Sequence, residues 1–156
     1  MKNYQTTAEA ILNTVIYATI ATSDTDGTPW AAPQFIVYEK EARAIYWCAA
    51  RSSKHAQNIH NNRKAYIVVY DSSVGPGEGS GVYMQATAHE VTDPAEREEA
   101  MTKLIKRHRV AFWTLEDVQK SQSAVAVFKA EIQRAWVNEG REENGQFVLY
   151  REPVEL

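Results

Sequence analysis

Arg51, Ser52, Ser53 and Lys54 form the segment richest in chemistry. It follows a strand-like run and opens a helix-like one. Two hydroxyls, a guanidinium, an ammonium and the free backbone N–H groups of a helix start converge there. Two readings are open. A serine hydroxyl caps the helix and both cations stay in solvent, the commoner fate of such a segment. Alternatively, the hydroxyls, the helix dipole and the ammonium hold a phosphate. No glycine-rich run precedes Lys54 at the spacing of a Walker loop.

Other reactive types give weaker patterns. The four histidines, His55, His60, His89 and His108, fit no HExxH spacing, and the single Cys48 has no CxxC partner. No metal site is expected from such spacings. A nucleophilic cysteine needs a base beside it, and none is evident, so Cys48 reads as a small core residue. GxSxG and GxGxxG are both absent, so neither a hydrolase elbow nor a Rossmann dinucleotide site is indicated. Trp30, Trp47, Trp113 and Trp136 can frame a flat ligand or pack a core, and packing is the better reading for each taken singly. No side chain stands out as a catalytic acid or base.

These residues need elements to position them. A capping box at Thr6 and Glu9 and the helical spacing of Ile11, Leu12, Val15 and Ile16 predict a first helix. Strands are expected over residues 18–22, 30–38 and 44–49, joined by a turn at 24–27 and a polar turn at 39–43. Residues 51–61 read as a loop opening into a short helix. Residues 65–70 (AYIVVY) form a continuous apolar strand, expected to be central and buried on both faces. Residues 72–81 hold four glycines and a proline and form an exposed loop. A strand follows over 82–91. Asp93, Pro94 and Glu96 then mark a helix start, with Met101, Leu104 and Ile105 on its buried face. A further helical or loop segment spans 115–122. The longest strand signal covers 124–137, and residues 147–150 are expected to close the sheet.

Tight hairpins between early strands favour antiparallel pairing. The fold class expected is mainly β (α+β): a six- to seven-stranded antiparallel split β-barrel with flanking helices. A chain of 156 residues suits one domain, 1–156. Its 17 basic and 20 acidic residues give a net charge of −3, which argues against nucleic acid as a partner. No apolar stretch is long enough to span a bilayer, and the N-terminal residues lack a signal-peptide pattern. With one cysteine, a reducing compartment fits, and the expected location is the cytoplasm.

The run DGTPWAAPQFIVYEKEARAIYWCAARSSKHAQNIHNNRKAYIVVYD resembles the flavin-binding split-barrel family typified by pyridoxamine 5′-phosphate oxidase. The Asp-Gly-x-Pro hairpin from Asp26 to Pro29 carries the likeness. So do Tyr46-Trp47-Cys48 at a strand end and Ser52-Ser53-Lys54 followed by Gln57, Asn58, Asn61 and Asn62. GVYMQATAHEV followed by DPAEREEAM, and the strand reaching Trp136, extend it over about residues 18–137. The resemblance implies a homodimer with FMN at the subunit interface, acting on a small-molecule substrate or electron donor. It implies that Ser53 and Lys54 hold the FMN phosphate, with help from Ser52. Ala32, Pro33, Gln34, Phe35, Ile36 and Val37 would run beside the isoalloxazine ring, partly through backbone groups. Trp47 and Cys48 would line the ribityl and phosphate end, and Trp136 would approach the flavin from the partner.

Three departures from the family pattern bear on activity. Ala32 stands near the position of an arginine, and Val82 near that of a glutamine. The stretch VNEGREENGQFVLYR after Trp136 lacks the Arg-Leu-His-Asp-Arg signature that grips the phosphorylated pyridoxal substrate. An FMN-dependent oxidoreductase of unassigned substrate is therefore the leading expectation. The alternatives are a true pyridoxamine 5′-phosphate oxidase, a non-catalytic flavin-binding or stress-related protein, and a relative that binds haem or deazaflavin. In the haem case His89 or His108 becomes a candidate ligand.

Overall fold

The computed structural model describes residues 3–75, 79–108, 112–120 and 123–156. Residues 76–78 of the expected glycine-rich loop, residues 121–122 of the expected later helix and the side chain of His108 lie outside the described residues. The elements run α1 (Tyr4–Thr14), β1 (Tyr17–Ser23), β2 (Pro29–Phe35), β3 (Val37–Glu39), β4 (Ala44–Ala50), α2 (Lys54–Asn62) and β5 (Lys64–Tyr70). They continue with β6 (Gly81–Glu90), α3 (Pro94–His108), α4 (Leu115–Gln119), β7 (Val125–Glu143) and β8 (Gln146–Val154).

The strands form one antiparallel sheet in the order β2-β1-β5-β6-β7-β4-β3, with β8 added alongside β7. The two ends of that order, β2 and β3, are consecutive in the chain and separated only by Ile36. The segment expected as one strand over residues 30–38 is therefore two strands, and the described strands number eight. The physical reason lies in a change of partner: residues up to Phe35 pair with β1, and residues from Val37 pair with β4. Ile36 and Tyr38 enter one core while Val37 enters another, so the segment passes between two packed layers. Ile36 N–H donates to Ile16 O at 3.0 Å, the last rung of the β1–β2 register, before Val37 turns to β4. The sheet thus curls on itself without closing its hydrogen-bond ladder, as a split barrel does.

Three further expectations are corrected. The capping box at Thr6 and Glu9 does not form. Asn3 caps α1, its side-chain oxygen accepting from Thr6 N at 3.2 Å, consistent with asparagine being a stronger cap than threonine. β5 lies inside the sheet, yet only Ala65, Ile67 and Val69 are buried, while Tyr66 and Val68 are half-buried. Among the described residues, no helix covers its other face. β8 pairs with Ala135–Glu143 of β7 alone, extending a ribbon rather than closing the sheet.

The larger core lies inside the curl, where α1 and α2 contribute Leu12 and Ile59 against Trp47, Ile67, Met84 and Phe128. The second core lies between β3, β4 and β7 and the helices α3 and α4. Asp93 caps α3 as expected, its carboxylate accepting from Glu96 N at 2.8 Å. Among the described residues, no helix is long and apolar enough to cross a membrane.

Candidate functional site

β4 ends at Ala50 and α2 begins at Lys54, so the intervening turn presents the helix start. Ser53 occupies the cap position, but its hydroxyl makes no capping bond. It donates instead to Ala50 O at 2.7 Å. The capping reading is therefore set aside for Ser53, and among the described residues no side chain accepts from the first-turn N–H groups of α2. Ser52 contributes its carbonyl, which accepts from Gln57 Nε2 at 3.1 Å. Lys54 keeps its ammonium at the surface, 3.1 Å from Asp24 Oδ2 in the β1–β2 turn.

Arg51 turns away from this helix start. Its Nε lies 3.2 Å from both oxygens of Glu90, and its Nη2 lies 2.6 Å from Oε1. Its Nη1 donates to Ser123 O. Hydrogen bonding to Glu90 raises the guanidinium pKa further. His55 and Asn58 are buried on α2. Asn58 Nδ2 donates to Thr22 Oγ1 at 3.0 Å, while Asn58 Oδ1 and His55 Nε2 have no protein partner. Burial holds the His55 pKa below its ordinary value of 6.5.

The outward face of the sheet is the second component. β1 and β5 pair only over Thr19–Ala21 and Tyr66–Val68. On either side of this short ladder the strands part. One cleft of about 420 Å³ is lined by Thr22, Ser23, Lys64, Tyr66, Gln85 and Gln133. Gln133 is the extra residue where the β6–β7 register shifts, opposite Gln85 and Ala86; such bulges re-aim side chains. The other cleft, about 410 Å³, is lined by Ile16, Tyr17, Pro33, Val68, Tyr70 and Asp71. Direct pairing of Val68 with Tyr83, and of Tyr83 with Trp136, places all three on this face. Arg151 from β8 lies across it, 4.3 Å from the Tyr83 ring centre and 2.9 Å from Tyr66 Oη. The face is aromatic, carries Lys64, Arg134 and Arg151, and among the described residues has no helix over it.

The expected site residues fall into distinct places. Ser52, Ser53 and Lys54 gather at the start of α2 beside Asp24. Pro33 and Trp136 share the outward face, whereas Ala32 and Gln34 pair with the buried Ile20 and Ala18 and point to the inner side. Phe35 meets Tyr17 edge-on at 6.0 Å. Ile36 and Val37 enter the two cores. Trp47 is fully buried and stacks on Phe128, ring centres 5.6 Å apart. Cys48 packs against the second core, where burial first and the Asp117 charge second push its thiol up to about 12. It is therefore a thiol, not a thiolate, at neutral pH. His89 pairs with Lys129 and lies near Glu96 of α3, on the same side of β6 as Tyr83 but six residues further along the strand. Sequence reasoning missed Asp24, Tyr66, Tyr83 and Arg151. Asp24 opens the turn that leads into the Asp-Gly-x-Pro hairpin and could have been found there.

Comparison with known proteins decides the family. A family model described as pyridoxamine 5′-phosphate oxidase matches residues 5–138. The chain belongs to this family. No curated protein matches it. Several solved structures share the fold at low identity. A haem-binding protein from Mycobacterium smegmatis superposes with a TM-score of 0.73 at 18% identity, covering 97% of this chain and 59% of that one. This chain thus spans 59% of the length of that protein. The General Stress Protein 26 from Bacillus anthracis gives 0.62 at 14% identity, covering 94% and 98%. A FAD-binding protein from Mesorhizobium loti gives 0.63 at 16%, covering 83% and 90%. At such identities the likeness speaks for the split barrel.

Proposed function

We propose that this protein is an FMN-binding flavoprotein, an oxidoreductase for a small-molecule substrate, and that it works as a homodimer with FMN at the interface. The observation that carries the reading is the uncapped start of α2 with Lys54 at its first position. Free N–H groups, a positive helix end and an ammonium are what a phosphate requires. The residues present fit the cofactor: Ser52, Ser53 and Lys54 would hold its phosphate. Among the described residues β2 pairs with β1 alone, so its second edge at Ala31 and Pro33 offers backbone groups to a flat polar ring. Trp136 belongs to an aromatic face that needs cover, which a second copy and a flavin would supply. Bound FMN would supply hydride acceptance, while these side chains would bind and orient it and exclude water. Within the family, the departures at Ala32 and after Trp136 favour a substrate other than phosphorylated pyridoxal.

The cysteine would take no part in this chemistry, since its thiol stays protonated. A haem reading finds less support here, because His89 lies beside Glu96 and Lys129 at the α3 end of β6, six residues from Tyr83. The test is an absorption spectrum of the purified protein together with light scattering. Flavin bands, bleached by a two-electron reductant, and a dimer mass are expected. A Soret band, or a colourless monomer that ignores added FMN, would overturn the proposal.

A further inference from the structure

Lys54 already holds an anion. Its Nζ lies 3.1 Å from Asp24 Oδ2, with the two side chains 40% and 20% exposed. That carboxylate is fixed from behind. Asp24 Oδ1 accepts from Thr28 N at 3.1 Å and from Asp26 N at 3.3 Å. Asp26 adds a second carboxylate to the same turn, its Oδ1 accepting from Thr28 N at 2.8 Å. The other cation of the segment, Arg51, is committed to Glu90 and Ser123. The turn facing this helix start therefore carries two carboxylates against one ammonium. A phosphate monoester brings about −1.5 to −2 charge at neutral pH. To reach Lys54 it must displace the Asp24 carboxylate and tolerate it nearby.

We propose that Asp24 is the resident counter-anion of Lys54 and thereby sets how far this site discriminates a phosphorylated flavin from an unphosphorylated one. The inference rests on reading Ser53 and Lys54 as a flavin phosphate site. It makes Asp24 a specificity-determining residue rather than a turn residue alone. A partly exposed ion pair is worth at most about five-fold in an equilibrium, so the effect is a bias and not a block.

The test compares FMN and riboflavin, titrated by quenching of flavin fluorescence into the full chain. Asp24→Asn is the informative variant, because its amide oxygen can still accept the Thr28 and Asp26 N–H bonds while the charge is gone. It should tighten FMN roughly five-fold and leave riboflavin unchanged. Asp24→Ser, whose hydroxyl also accepts turn bonds, should show the same bias and separates charge from turn geometry. Lys54→Met should weaken FMN, and adding Asp24→Asn to it should gain nothing, as expected of a coupled pair. If both flavins bind the wild-type chain but neither Asp24 variant changes their ratio, the role of Asp24 is overturned and the flavin reading stands. If neither flavin binds any form, both fall.

Discussion

Trp47 and Trp136 belong to neighbouring strands of one sheet, yet they meet opposite surroundings. Trp47 on β4 is fully buried and stacked on Phe128. Trp136 on β7 is half-buried beside Tyr83, on a face that no helix covers among the described residues. Strand alternation puts successive side chains on opposite sides, so one sheet can keep a closed core on its inner face and an open aromatic surface on its outer one. The inner face is closely packed, with Trp47, Phe128, Ile67 and Met84 fully buried. The outer face has two clefts, guanidinium groups and several rings. The proposed function uses the outer face together with the start of α2, where contacts are left over.

Substitution should separate the two faces. Trp47→Ala removes a large buried side chain and should cost about 3–5 kcal/mol in denaturant unfolding. A cost under about 1 kcal/mol would contradict its core placement. Trp136→Ala should cost about 1 kcal/mol or less in the same assay, while weakening FMN about ten-fold, near the upper range of an aromatic contact. A stability loss as large as that of Trp47 would erase the contrast. A smaller effect comes from His55, buried beside Phe128 with a depressed pKa. Below its ordinary value of 6.5, the unfolded state takes up a proton that the folded state resists. Stability should therefore fall as pH drops through that window. His55→Gln should flatten the decline between pH 6.5 and 4.5. Below about 4.5, where Glu96 lies under its usual range through hydrogen bonding to Lys129, stability should be lost in both proteins. An unchanged slope above 4.5 in the variant would show that His55 is not the titrating group.

Much of the fold was legible in local pattern. The cap and proline of α3, the apolar strands and the antiparallel hairpins all follow from neighbouring residues. What was not legible depends on distant partners. The break at Ile36 arises because the chain exchanges β1 for β4 as its partner, a long-range pairing that period-two alternation does not encode. The fate of Arg51 depends on Glu90, 39 positions away, and that of Lys54 on Asp24, 30 positions away. The motif Ser52-Ser53-Lys54 located the start of α2. Whether Ser53 capped the helix was settled by its bond back to Ala50, a contact that side-chain type alone does not dictate. β2 shows the same limit: its residues were expected beside a ring as a group, yet only alternate ones face outward.

The central claim is that the uncapped start of α2 is a flavin phosphate site. The most direct measurement is the FMN affinity of the wild-type chain against a Ser53→Ala/Lys54→Ala double variant, with unfolding curves confirming that both are folded. The account predicts saturable binding to the wild type and a loss of at least about ten-fold in the variant, as expected when a hydroxyl and an ammonium are withdrawn from an anion. Equal affinity in two folded proteins, or no binding to the wild type, would contradict it.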